Sequence, residues 1–167
     1  MQQRTKSFGV KKLTQCAMLT ALALIFSYIE FLVPISIGLP GIKLGIANIV
    51  IVVAIYRLGG GYGFVINIAR ILLSALLFGN MFSAIYALCG GLLSLAVMLL
   101  LKKTGWFSVV GVSMAGGVFH NVGQILIAIL LVGSGKVLYY FPVLLLAGMI
   151  TGIINGFIDT LVLRALK

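Results

Sequence analysis

Residues 81–103, MFSAIYALCGGLLSLAVMLLLKK, decide the fold. No formal charge interrupts the run from Met81 to Leu101, and the pair Lys102 and Lys103 ends it. As a helix rising 1.5 Å per residue, a run of about 20 residues crosses the roughly 30 Å hydrocarbon core of a bilayer. The whole chain has the same character: of its 167 residues 62% are hydrophobic and 8% charged, and its mean hydropathy is +1.27. A soluble domain carries about 25% charged residues. An ordinary soluble enzyme and a disordered chain are thereby excluded, and the length holds five to seven membrane helices with no room for a soluble catalytic domain.

The neighbouring segments repeat the pattern. Upstream, a span over about 62–79 contains Arg70 and is set off by Gly59, Gly60 and Gly61 on one side and by Phe78, Gly79 and Asn80 on the other. Before it, residues 44–57 are bracketed by Lys43 and Arg57. Some 13 residues reach only about 20 Å, so this helix either extends into the preceding loop or is a short element beside a cavity. That loop, PISIGLPGIK at 34–43, holds two of the three prolines and two glycines, so it is not helical and lies on or dips into the bilayer. A first span over about 13–33 follows a basic segment, residues 1–12. It is too long for a signal peptide and lacks a small-x-small cleavage site. Downstream of Gly105 and Trp106, further spans cover about 108–132 and 138–164, separated by GSGK at 133–136. The sequence therefore predicts an all-α integral membrane protein, residues 1–167 forming a single domain of six transmembrane helices.

Orientation follows from the basic residues. With the N-terminus cytoplasmic, Arg4, Lys6, Lys11, Lys12, Arg57, Lys102, Lys103, Arg164 and Lys167 lie inside and only Lys43 and Lys136 outside, with Arg70 in the membrane. Nine against two predicts both termini in the cytoplasm of a multi-pass protein of the bacterial cell membrane. The +10 charge is thus explained by topology and by attraction to anionic lipid, and no nucleic-acid partner is expected.

Glu30 and Asp159 are the only acidic side chains. Multi-magnesium diphosphate binding, paired-acid hydrolysis and calcium loops have no ligand set here. Cys16 and Cys89 lie in apolar segments without CxxC spacing and read as space-fillers. No haem, iron–sulfur or covalent flavin attachment pattern occurs, so no cofactor is expected. No metal is expected either, since His120 has no second His or Cys partner. The absence of a GxxxxGK[ST] segment means that any nucleotide energy must come from a partner.

Polar side chains deep in apolar helices mark a site. Facing lipid, Arg70 would cost about 2.5–3.5 kcal/mol on insertion scales. It therefore faces the interior, either paired with an acid to lock the bundle or lining a polar substrate site, and Asn67 one turn earlier shares its face. His120, Asn121 and Gln124 fall within one turn, the first and last on one helix face, and are costly there unless satisfied. They serve as interhelical glue or as ligand groups. Lys43 and Asn48 flank the start of the short helix and Asn80 lies at the far end of the Arg70 span; Lys43 is an interfacial anchor or a lid cation. Asp159, near Arg164, is expected to cap or pair at the inner surface. Ala17 and Ala21 form an AxxxA step, and Gly148, Gly152 and Gly156 a double GxxxG. Both permit close helix approach, within the chain or with a partner. The pairs of glycines at 59–61, 90–91 and 116–117 are too short to make an internal repeat.

KLGIANIV (43–50), Arg70, LLFGNMFS (76–83), Gly90 and Gly91, and GGVFHNVGQ (116–124) together resemble the small membrane-protein family called heptaprenyl diphosphate synthase component I, or Gx transporter family. The resemblance spans nearly the whole chain, and HNxGQ and FGN are its specific parts. Such proteins are similar to the substrate-binding S components of energy-coupling-factor (ECF) transporters. That likeness implies an S-component-like bundle of six helices with both ends cytoplasmic and an outward pocket closed by the first outer loop. It also implies an AxxxA contact on helix one for a transmembrane coupling subunit served by ATPases. Ala17 and Ala21 match that contact, and PISIGLPGIK stands where the closing loop would be. Prenyl diphosphate synthases hold magnesium diphosphate on aspartate-rich motifs, whereas this chain has one aspartate, so the resemblance does not imply catalysis.

The combined expectation is a non-enzymatic, membrane-embedded binding subunit of an ECF-type uptake transporter for a small anionic or aromatic-polar molecule. Lys43, Asn48, Asn67, Arg70, Asn80, His120, Asn121 and Gln124 would form the site. The alternative is a non-catalytic membrane subunit supporting heptaprenyl diphosphate or menaquinone synthesis.

Overall fold

The computed structural model of the chain describes residues 2–32, 45–132 and 135–166. They form seven helical elements and no strand: α1 (Gln2–Leu32), α2 (Ala47–Arg57), α3 (Gly60–Leu77), α4 (Met81–Thr104), α5 (Val109–Val132), a 3₁₀ turn (Gly135–Tyr140) and α6 (Phe141–Ala165). The 34–43 loop and Lys43 lie outside the described residues.

Five of these helices are long and apolar enough to cross a membrane. The sixth expected span is different. α2 has 11 residues, about 16 Å of rise, and apart from Asn48 is apolar on every side up to Ile55. Such a helix has to be surrounded, and eight of the nine side chains from Ala47 to Ile55 are buried, all but Asn48. α1, α3, α5 and α6 all pack against it, and Val50, Ile51, Val52, Ala54 and Ile55 join Ile66, Leu95, Met98 and Val112 in the main core. Of the two readings of 44–57, the short enclosed element is the one found.

The outer surface is apolar instead. Leu76, Met81, Leu130 and Leu161 are 65–83% exposed, which water would penalise and lipid would not. The chain is thus a multi-pass membrane protein.

Glycine sets the closest helix contacts. A Cβ on Gly117 would stand 2.3 Å from the Gly148 carbonyl oxygen, and one on Gly152 would stand 2.6 Å from Met114 Cα. The double GxxxG therefore joins α6 to α5 within the chain. A Cβ on Gly90 would likewise lie 2.7 Å from the His120 carbonyl oxygen on α5, and one on Gly91 2.9 Å from Asn67 Nδ2 on α3, so the pair marks where α4 crosses α5 and α3.

Three boundaries differ in detail from expectation. α1 runs unbroken from Gln2, through the basic segment. Gly59 alone makes the turn into α3, at φ 104, while Gly60 and Gly61 are helical. α6 begins at Phe141, with Pro142 in its first turn, where a missing N–H leaves no bond unmade.

Basic side chains gather at one end of the bundle. Lys102 Nζ donates to the Ile55 carbonyl at 2.6 Å and lies 4.8 Å from the centre of the Tyr56 ring, and Arg57 donates to the Leu166 carbonyl. Cations there satisfy the free carbonyls at the ends of α2 and α6.

Candidate functional site: a polar cavity at the opposite end of the bundle

A cavity of about 310 Å³ opens between α1, the start of α2, α3, α4, α5 and α6. Of the eight side chains expected to form a site, Asn48, Arg70, Asn80, His120, Asn121 and Gln124 line it. Asn67 stands behind Arg70, and Lys43 lies outside the described residues. Glu30, Ser27, Ser74, Ser83, Thr151 and Asn155 add polar groups to the wall, and Phe31, Ile71, Ala75, Phe78, Ala84 and Ala87 add apolar ones.

Arg70 is held from α3 itself. Its Nη2 donates to Asn67 Oδ1 at 2.8 Å, one helical turn back, and its Nη1 to Ser27 Oγ on α1 at 3.5 Å. Among the described residues its Nε has no partner, and neither does Nδ2 of the buried Asn67. Glu30, on α1, lies within electrostatic reach of Arg70. Its carboxylate also accepts the Ile46 N–H, tying the end of α1 to the residues just before α2. Arg70 therefore belongs to a wall of the cavity, with part of its hydrogen-bonding capacity unused.

The α5 cluster divides. Gln124 Nε2 and His120 Nε2 are 3.2 Å apart, as the one-turn spacing requires. Asn121 instead reaches α6, its Nδ2 donating to the Leu144 carbonyl at 2.7 Å.

Two further residues change the picture. Asn80 is the N-cap of α4: its Oδ1 accepts the Ser83 N–H at 2.8 Å and its own N–H donates to Ser83 Oγ at 3.1 Å, a capping box that gives it a structural task at the cavity rim. Asn155, on α6, was not foreseen. It is 5% exposed, and its Nδ2 donates to the Gly45 carbonyl at 2.9 Å, 110 residues away. Its sequence signal is a lone amide on the face marked by Gly148 and Gly152, at i+3 from the latter.

Other expectations fall outside the cavity. Asp159 is fully buried; the Ser113 hydroxyl is its hydrogen-bonding neighbour, but no close hydrogen bond reaches either carboxylate oxygen from the described residues. The capping or pairing expected for it at the surface is not formed; α6 turns it inward, on the face that carries Gly152 and Gly156. Cys16 is buried, Cys89 is half-buried, and both are free thiols. Ala17 and Ala21 are exposed on α1, touching neither cavity nor core. Among the described residues, no three His, Cys, Asp or Glu side chains come together.

Residues 19–162 match the family described as heptaprenyl diphosphate synthase component I. The chain belongs to that family. The match takes in every described cavity-lining residue, from Ser27 to Asn155. The family's description makes it one component of a synthase, in keeping with a chain that lacks aspartate-rich motifs and is a partner subunit rather than a catalyst. No curated protein and no solved structure matches the chain.

Proposed function

We propose that this member of the component I family is a membrane subunit that captures a small polar molecule in the cavity around Arg70 and His120. One observation carries the reading. Polar side chains from five helices and the start of α2, far apart in sequence and costly in an apolar bundle, converge on one space large enough for a ligand. Among the described residues these groups do not fully satisfy one another, since Arg70 Nε and Asn67 Nδ2 are buried without a hydrogen-bond partner.

Within this reading the chain is an S-component-like subunit of an ECF-type uptake system. Both termini are cytoplasmic, as the charge bias favours, and the cavity faces outward, away from the basic end. Ala17 and Ala21, exposed on α1, contact a coupling subunit whose ATPases supply the energy. Arg70 binds an acid group through charge-assisted bonds, His120 and Gln124 fix the ligand's orientation, and Asn67 holds the guanidinium in place.

The family description favours a second reading. In it the same subunit docks a catalytic synthase component at the membrane and supports heptaprenyl diphosphate synthesis without performing it. Purification from native membranes separates the two. Transport predicts co-purifying ATPases and a small molecule whose affinity falls in Arg70→Ala and His120→Ala. Synthase support predicts an aspartate-rich soluble partner and no ATPase. Unchanged affinity for an identified molecule in both variants would overturn the site.

A further inference from the structure

The direction of the amide hydrogen bonds says what kind of molecule the cavity takes. A backbone carbonyl can only accept, so the bonds from Asn121 to Leu144 O and from Asn155 to Gly45 O fix each amide with its nitrogen toward the backbone. Two carbonyl oxygens, Asn121 Oδ1 and Asn155 Oδ1, thus point away from those partners. Both residues are at most 8% exposed, yet neither oxygen is shut in without a partner. The cavity that these residues line is the space into which they open.

The opposite wall has the reverse polarity. Arg70 donates from α3, its guanidinium held by Asn67 Oδ1 and Ser27 Oγ. Among the described lining residues the formal charges are Arg70 and Glu30, of opposite sign. A diphosphate would meet one guanidinium, one carboxylate and a row of carbonyl oxygens, and so would be repelled over most of the surface. A simple carboxylate would leave the oxygens on α5 and α6 desolvated and unpaired, which costs about as much as a lost hydrogen bond each.

Resting on the reading of the cavity as a binding site, we propose that its ligand is amphoteric and carries no net charge. It has a carboxylate for Arg70 at one end and N–H donors for the amide oxygens of α5 and α6 at the other, as in an amino acid or an amine-bearing acid of similar size. A cavity of about 310 Å³ sits at the small end of ligand sites, which suits a molecule without a long prenyl tail.

Thermal denaturation of the full chain in detergent tests this with matched probes: the twenty amino acids, their des-amino acids, their decarboxylated amines, and inorganic pyrophosphate. Native mass spectrometry of protein from its own membranes reports any molecule already bound. The expected result is stabilisation by at least one amino acid, with both of its stripped counterparts about tenfold weaker or more. Arg70→Gln should erase the advantage of the amino acid over its decarboxylated amine. An amphoteric molecule ejected from the native protein supports the proposal even if no amino acid in the set binds. Pyrophosphate or des-amino acids binding as tightly as amino acids would overturn it, as would an ejected molecule lacking either the acid or the N–H donor; binding itself would survive either result. No ejected molecule and no stabilisation by any probe would overturn the binding reading as well.

Discussion

Asn67 and Arg70 are one helical turn apart, and the amide oxygen of the first aims the guanidinium of the second. Removing the guanidinium should be felt in binding before it is felt in folding. Arg70→Ala is expected to weaken binding of the co-purifying molecule at least about tenfold, since a charge-assisted bond contributes roughly 1.5–3 kcal/mol, with the melting temperature little changed. Titration calorimetry alongside thermal denaturation separates the two effects. Asp159 presents the contrary case. Fully buried, with the Ser113 hydroxyl as its neighbour and no close hydrogen bond among the described residues, its carboxylate is an unfavourable group for the fold. Asp159→Asn should therefore leave the melting temperature unchanged or raised, and a fall of more than about 4 °C, roughly 1 kcal/mol for a chain of this size, would show that the carboxylate has a stabilising partner. Arg70, His120 and Gln124 were legible in the sequence because charge and amides in apolar helices are conspicuous. Asn155 and Glu30 were not, because their partners, Gly45 and Ile46, stand on a segment that only the folded chain brings close.

Between elements, glycine does what polar side chains do in the cavity: it decides which helices meet. The α5–α6 contact has backbone against backbone at Gly117, Gly148 and Gly152, so there is nowhere for a larger side chain to go. Gly152→Leu should force the helices apart and destabilise the fold by about 3 kcal/mol or more, or prevent accumulation of folded protein. Gly61→Ala, where a Cβ would meet nothing within 4 Å, should be neutral or stabilising by about 0.5–1 kcal/mol. Comparing the folded yield and melting temperature of these two variants distinguishes a packing role from a general dislike of substitution. The long helices were legible because apolar stretches of 18 to 29 residues have few alternatives in water or lipid. The role of α2 was half legible: its length was too short to span, but only packing from four sides shows it to be the centre of the core. The paired glycines at 90–91 and 116–117 were visible as letters and silent as contacts, because a crossing point depends on two helices and a sequence displays one at a time.

For the molecule as a whole, structure and sequence agree on polarity along the bundle axis. Arg57 and Lys102 close the helix ends at one pole, and the cavity occupies the other. If the basic pole is cytoplasmic, a cysteine placed at Asn80 in a Cys16→Ser, Cys89→Ser background should react with a membrane-impermeant maleimide added to intact cells. A cysteine at Lys103 should react only after lysis, and reversed labelling would invert the topology and turn the cavity inward. The account as a whole rests on the cavity being a place where a molecule sits. A cryo-electron density map of the protein purified from its own membranes measures that most directly. We expect density for a small molecule among α1, α3, α5 and α6, within about 2.7–3.2 Å of Arg70 and of the amide oxygens of Asn121 or Asn155. A closed bundle in which Arg70 bonds Glu30, and the α5 amides are tied to neighbouring side chains with no space between them, would contradict it.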